Sequence, residues 1–435
     1  MSETIDYVEM RFVDLLGRLK AMIVPCEPAD SLETLSRDPV LRKGASVDGS
    51  SIAGMASVES SDLRLDPDLT TLIELPYASQ RIAAVMCFIK EKATSSDSGL
   101  YHPKDSRGLL YSVCNNLLPG QMHLRVKLEP EFYFITEEGE RLDSGHYADT
   151  YPANPAADAL MDIASSIRDV GVHPLVLHHE GGESQHEIEI DFDDVRKISD
   201  SAVVFRNLAH AVARDHGFDV TFMPKPFPES AGSGLHAHLQ LWDGKQNLFG
   251  SETGSGLSET GKSFVAGLLE HAQAITAIAN PSVNSYKRLV PHMEAPVYIS
   301  WGYRNRTTLV RIPLFTDSQK AAVEIRSPDS TCNPYLMFAA IIAAGMDGVE
   351  RNLPPPEPRT EDIFGLTDED REGFGIGVLP RTLEDALRFL EQDTVIRDTL
   401  GPQLFQAYIK IKQEEWIEYT SKCVTDWEWE KYASI

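Results

Sequence analysis

The chain is short of positive charge, of paired cysteines and of long apolar runs. Against 66 aspartates and glutamates stand only 40 lysines and arginines, a formal net charge of −26. A surface this acidic repels nucleic acid and anionic lipid, so neither is expected as a partner. It suits divalent cations, although a solubilising surface accounts for most such excess. No apolar run reaches the ~18 residues of a membrane span. The opening MSETIDYVEMRF has no basic stretch ahead of an apolar one, so no signal peptide is expected. The five cysteines (Cys26, Cys87, Cys114, Cys332 and Cys423) form no CxxC pair. That argues against a zinc ribbon or a disulfide frame and for reduced thiols in a cytoplasm. There is no internal repeat and no Walker-type phosphate loop, so any nucleotide must be held by another device.

What is present is an ordinary globular composition, 42% hydrophobic, with apolar residues enough for a large core in each of two unequal domains. IDYVEMRFVD and LKAMIVP read as two strands joined by a turn at Leu16-Gly17-Arg18, and TTLIEL and IAAVMCFI as further strands. The polar stretch KEKATSSDSGLYHPKDSRG, about 90–108, reads as a linker. It divides the chain into a small β domain, 1–95, and a large domain, 103–435. GKSFVAGLLEHAQAITAIAN and YLMFAAIIAAGMDGVE have helical periodicity, and RNLPPPEPRTED reads as a proline-rich surface loop.

Four predicted strands of the large domain carry chemistry on one face, because residues i and i+2 of a strand share a side. Glu129 and Glu131 oppose Leu128, Phe132 and Phe134 in VKLEPEFYFI. Glu187, Glu189 and Asp191 share a side in QHEIEIDF, His236 and His238 in GLHAHLQLW, and Glu324 and Arg326 in AVEIRSP. Any one of these could be a solvated sheet face. Read together, the carboxylates would repel one another and raise one another's pKa unless a cation lies among them. Carboxylate oxygens with an imidazole suit Mg²⁺ or Mn²⁺, and such ions bridging phosphate oxygens serve phosphoryl transfer. Arg288, Arg304, Arg306 and Arg311, with Arg326, supply groups able to clamp carboxylate or phosphate. The residues alone therefore indicate a metal-dependent enzyme handling a phosphoryl group and an anionic substrate.

The same segments resemble the type I glutamine synthetase family nearly end to end. VDGSSIAG, LEPEFYF, HHEGGESQHEI, TFMPKPF, GSGLHAH, NPSVNSYKRLVPHMEAPV, RNRTTLVRIP and VEIRSPDSTCNPYL occur in the family's order. The resemblance implies an α+β fold: a β-grasp-like N-terminal domain and a catalytic domain with a curved antiparallel sheet flanked by helices. It implies a cytoplasmic homo-oligomer, a dodecamer of two stacked rings, with active sites between subunits. The implied reaction is ATP-dependent ligation of ammonia to the γ-carboxylate of glutamate through a γ-glutamyl phosphate. One metal site would be Glu131, Glu180 and Glu187 and a second Glu129, His236 and Glu324, holding Mg²⁺ or Mn²⁺, about two or three ions in all. Arg306 and Arg326 would stabilise the moving phosphoryl group, and Arg288 would grip the substrate α-carboxylate. Glu131, Gly232 and His236 would line the substrate's place, and His238 and Arg311 would contact the nucleotide. Glu294 would close a flap over the site. Asp48 and Ser51 would serve the ammonium side of a neighbour's site, together with Tyr147.

This chain departs from the family pattern at several places. Ala231 stands where the family has asparagine, Gln240 replaces a serine near the nucleotide, and Gln319 and Ala322 stand where lysine and arginine are common. His292 replaces a glycine of the flap, and Phe364 stands in place of the tyrosine that some members modify. Two other functions remain open on the sequence: a γ-glutamyl ligase using an organic amine such as methylamine, ethanolamine or a polyamine, and a non-catalytic structural relative.

Overall fold

The computed structural model describes residues 3–78, 80–91, 101–251, 256–291, 293 and 295–435. Alternating side chains in the first segment make β1 (Ile5–Val13), which buries Val8, Met10 and Phe12. Asp14 ends it by accepting the amide N–H groups of Leu16 and Arg18, and Gly17 takes the left-handed backbone, φ 76°, that closes the turn. The chain returns as β2 (Leu19–Ala29). After β3 (Ala45–Asp48), β4 (Asp62–Pro67) and β5 (Ile73–Glu74) comes β6 (Ile82–Glu91). The order is β2-β1-β6-β4-β3, with β5 on β6, and only β1 and β6 run parallel. TTLIEL is mostly a turn, with two residues in strand. Of the expected linker, Lys90 and Glu91 belong to β6, Ser106 starts a helix, and residues 92–100 lie outside the described residues.

The second sheet holds the site. It contains β7 (His123–Ile135), β8 (Pro174–His179), β9 (Gln185–Asp194), β10 (Asp219–Thr221) and β11 (Leu235–Trp242). Then follow β12 (Tyr298–Ile299), which pairs with Gly377–Val378 outside this sheet, and β13 (Trp301–Tyr303), β14 (Val310–Ile312) and β15 (Val323–Ile325). The order is β13-β14-β15-β11-β7-β9-β8, with β10 on β7. Its pairs are antiparallel except β13–β14, which is parallel, so the sheet is mixed at one edge where a wholly antiparallel one was expected. One face packs on the helix Val195–Asp215 through Leu128, Phe132, Ile188 and Phe205, all buried.

Helix Pro334–Glu350 is apolar all round and nearly all buried, as a central helix must be. It touches helix Glu259–Glu270 closely: a Cβ at Gly267 would lie 2.1 Å from the Ala344 carbonyl oxygen. The segment expected as one helix through Asn280 breaks at His271 into Glu259–Glu270 and Ala272–Ala279. There the His271 ring is held between Asp393 (2.6 Å) and Asp347 (3.1 Å). The domains are tied by buried Arg107, which holds Asp200 through two hydrogen bonds (2.9 and 2.8 Å) and Asp68 of the N-terminal domain through a third (2.8 Å). RNLPPPEPRTED has no regular structure after the end of the central helix.

Candidate active site

The chemical faces meet because of register. β15, β11, β7 and β9 are consecutive neighbours. His238 sits opposite Glu324, His236 opposite Glu129, and Glu131 opposite Glu187. These residues form a diagonal of carboxylates and imidazoles across one side of the sheet. Above it lies a cleft of about 760 Å³ whose wall includes Glu129, Glu131, Glu187, Glu189, His236 and Glu324. Tyr147, Glu180, Gly232, Arg288, Arg306, Arg311 and Arg326 complete the expected residues found there. Asp191 is exposed and leaves the row: between Val126 and Leu128 the pairing slips by one residue, a bulge that turns β9 beyond Ile190.

Among the described residues four groups of side chains bring ligand atoms within 4.8 Å of one another, Asp143, His179 and His186 being one and the other three belonging to this face: Glu129, His238 and Glu324; Glu129, Glu187 and His236; and His178, Glu180 and Glu187. The grouping puts His238 with Glu324, where the family resemblance implied His236. Nε2 of His238 is 2.9 Å from Glu129 Oε1, yet it is buried and not aligned for a hydrogen bond. Burial pushes the Glu187 carboxyl far up, and the carboxylates of Glu131, Glu129, Glu180 and Glu189 push it further. Burial works the same way on Glu129, but the imidazoles of His236 and His238 close beside it outweigh burial and hold that group far below the usual range. Glu324 is also held down against burial, by His238, His236, Arg326 and Arg311. A buried imidazole nitrogen without a hydrogen bond and a protonated carboxyl among carboxylates are what a hard divalent cation would relieve, so the donor set fits Mg²⁺ or Mn²⁺.

The arginines are already engaged. Arg311 Nη1 lies 2.8 Å from Glu324 Oε2, and Arg326 Nε lies 3.2 Å from Glu324 Oε1. Arg326 also donates to the Arg306 carbonyl, while Arg306 itself is exposed at the cleft wall. Arg288 is buried and donates to the carbonyls of Ser327 (2.6 Å), Pro328 and Arg326. The glycines ahead of β11 leave space for Arg288. A Cβ at Gly232 would lie 2.5 Å from Arg288 Cγ, and one at Gly234 would lie 2.5 Å from its Nη2, so both make room for that arginine. The Gly234 amide N–H donates to Glu131 (2.7 Å). Ala231 turns its carbonyl to the Tyr133 hydroxyl, 2.7 Å.

Asp48 and Ser51 are not in the cleft. They lie exposed on the N-terminal domain, with Ser51 donating to Asp48 (2.9 Å). Glu294 and His292 lie outside the described residues. Two residues escaped the sequence reading. His178 in β8 contacts Glu180 (2.8 Å) and was open to the same i, i+2 argument. Lys127 shares the β7 face with Glu129, 2.7 Å from its Oε1, and donates to Glu189 as well. Reading the face one step upstream of Glu129 finds it.

The glutamine synthetase beta-Grasp domain model matches residues 4–92, and the glutamine synthetase catalytic domain model matches residues 103–432. The chain is 40% identical over 444 residues to the glutamine synthetase of Pyrococcus abyssi, covering 99% of this chain and 97% of that one. It is 37% identical over 442 residues to the glutamine synthetase of Methanocaldococcus jannaschii, covering 98% and 95%. A solved structure described as "GmaS/ADP complex-Conformation 1" superposes with a TM-score of 0.88 at 32% identity, over 100% of this chain and 98% of that one. With both family models matched in order over almost its whole length, the chain belongs to the glutamine synthetase family.

Proposed function

We propose that this chain is an ATP-dependent carbon–nitrogen ligase that joins ammonia to the γ-carboxylate of L-glutamate. The observation that carries the reading is the diagonal of Glu324, His238, His236, Glu129, Glu131 and Glu187 across neighbouring strands, under a cleft that Arg306, Arg311 and Arg326 also line. A carboxylate is inert to an amine because its leaving group would be oxide. Transfer of the ATP γ-phosphoryl group to glutamate supplies a good leaving group, and ammonia then displaces phosphate from the acyl phosphate. The chemistry needs charge neutralised at the phosphates and water kept out.

Glu131, Glu180 and Glu187, and Glu129, His236 and Glu324, are the side chains we assign to divalent metal, with His238 close enough to share the second group. When bound, Mg²⁺ or Mn²⁺ would neutralise phosphate oxygens there, with about two or three ions per site. Arg311 and Arg326 hold Glu324 in the protein alone, and we assign Arg326 with Arg306 to the moving phosphoryl group and Arg311 with His238 to the nucleotide. Arg288, fixed by backbone carbonyls, takes the substrate α-carboxylate beside Glu131, Gly232 and His236. Glu294 is assigned to the flap. Asp48 and Ser51, exposed and bonded to each other, would serve the ammonium side of a neighbouring subunit's cleft near Tyr147, which makes the working unit a homo-oligomer, in our reading a dodecamer. The five unpaired cysteines suit a reducing cytoplasm, and among the described residues no helix is long and apolar enough to cross a membrane.

Phosphate release tests the assignment. Purified protein with ATP, Mg²⁺ and glutamate should release phosphate with ammonia. Release only with methylamine, ethanolamine or a polyamine would move the donor to an organic amine. No release with any donor, together with no stabilisation by MgATP, would leave only a structural relative.

A further inference from the structure

We infer that Lys127 is a resident cation of the acidic cluster, occupying the place of one further divalent ion between Glu129 and Glu189 and so limiting how many ions this chain binds. The inference rests on the proposed metal-dependent phosphoryl transfer but concerns a residue that reading does not use.

Lys127 is placed by the bulge. Between the pairs Val126–Asp193 and Leu128–Ile190, Lys127 alone opposes two residues of β9, Asp191 and Phe192. Such a bulge sharpens the local twist and re-aims a side chain. Here the ammonium reaches both flanking carboxylates: Nζ is 2.7 Å from Glu129 Oε1 and donates to Glu189 Oε2. All three side chains are largely covered, with 15%, 14% and 20% of their surface exposed, so this is not a screened surface pair of negligible worth. On its other side His238 is its partner in register and approaches the same Glu129 oxygen at 2.9 Å.

Among the described residues six carboxylates line this cleft: Glu129, Glu131, Glu180, Glu187, Glu189 and Glu324. Glu324 has two arginines, and Glu180 has His178. Without Lys127, Glu129 and Glu189 would offer two oxygens to a hard cation beside the His238 nitrogen, a donor set suited to Mg²⁺ or Mn²⁺. The ammonium fills that place with a charge that cannot diffuse away. It has three donors, two of them committed to carboxylates, which leaves one for a phosphate oxygen of the nucleotide.

The test counts metal rather than turnover. Bound Mn²⁺ is measured by electron paramagnetic resonance of the free ion, with a non-hydrolysable ATP analogue present, in wild type, Lys127→Met, Lys127→Arg and Lys127→Met/Glu189→Gln. The Met variant should bind one more Mn²⁺ per chain than wild type. The Arg variant should match wild type, and the double variant should return to the wild-type count because the extra ion has lost a ligand. At limiting Mn²⁺ the Met variant should bind the analogue about ten- to a hundred-fold more weakly, the effect of one lost charge-assisted hydrogen bond. Lys127→Gln gives the same count should the Met variant not fold. An unchanged count in a folded, assembled Met or Gln variant overturns the inference and leaves the proposed function standing. A wild-type chain that binds no Mn²⁺ overturns both.

Discussion

Glu187→Gln should act in opposite directions with and without metal. Glu187 is 5% exposed, faces Glu131 in register, and is surrounded by Glu129, Glu180 and Glu189. Burial and these neighbours raise its folded pKa well above neutrality, whereas an unfolded glutamate titrates near ~4.3. The metal-free native state therefore binds a proton that the unfolded state has released, and stability falls as pH rises above ~4.3 until the folded pKa is reached. At pH 7 the cost is at most ~3–4 kcal/mol, from about 1.4 kcal/mol per pH unit. Glutamine keeps the shape and never ionises, so in EDTA the variant should be more stable than wild type at pH 7–8, with the gain gone near pH 4. Metal reverses the order. A site filled at a hundred times its dissociation constant gains ~2.7 kcal/mol, and each ten-fold loss of affinity removes ~1.4 kcal/mol of it. Melting curves in EDTA and in Mn²⁺, across pH, read both effects. A variant less stable than wild type in EDTA, or one with an undiminished Mn²⁺ shift, would refute the reasoning.

Four further outcomes are expected. Arg107→Met takes the guanidinium from buried Asp200 and half-buried Asp68 and should cost ~3–5 kcal/mol in urea unfolding, with part of it recovered by adding Asp200→Asn. Burial alone would lower the His271 pKa, but hydrogen bonds to Asp393 and Asp347 outweigh it and raise the pKa. The stability His271 adds is thus whole below its unfolded pKa of ~6.5 and lost as pH rises through the folded value, so the melting deficit of His271→Asn should be larger near pH ~6 than near ~8.5. Mixing inactive Asp48→Ala with inactive Glu324→Ala should restore some activity through hybrid sites; no recovery despite proven subunit exchange counts against sites shared between chains. Ala231→Asn should lower the Michaelis constant for glutamate and leave the ammonia dependence nearly unchanged, and equal constants would show that this loop does not touch the substrate.

The elements of the fold were legible where one physical rule governs a short stretch. Alternation gave β1 and β2, and the turn between them needed only Asp14 and Gly17. The helical period of 261–280 was also legible, but its interruption was not. At the break, Asp347 and Asp393, over 70 and over 120 residues away in sequence, hold the two ring nitrogens of His271. The parallel β13–β14 pair is likewise a matter of chain path, which no local pattern encodes. Glycine shows the same limit: its freedom is plain in GSGLHAH, but that the space at Gly232 and Gly234 belongs to Arg288 depends on a helix more than 50 residues further on.

The site was legible as faces and not as partners. The two-residue period put Glu129, Glu131, Glu187, His236, His238 and Glu324 on chemical sides before any strand order was known. Pairing is set by register, and only register brings His238 opposite Glu324 and His236 opposite Glu129. A slip of one residue separates what the period unites. Asp191 and Glu189 share parity in the sequence, yet the bulge opposite Lys127 sends Asp191 to solvent and leaves Glu189 in the cleft. The same bulge brings the ammonium of Lys127 between Glu129 and Glu189. Lys127 keeps the parity of Glu129, so the residue pattern names the cation, while the bulge opposite it removes Asp191 and leaves Glu189 as its second carboxylate; at this point the electrostatics of the cleft depend on a backbone irregularity as well as on the residue pattern.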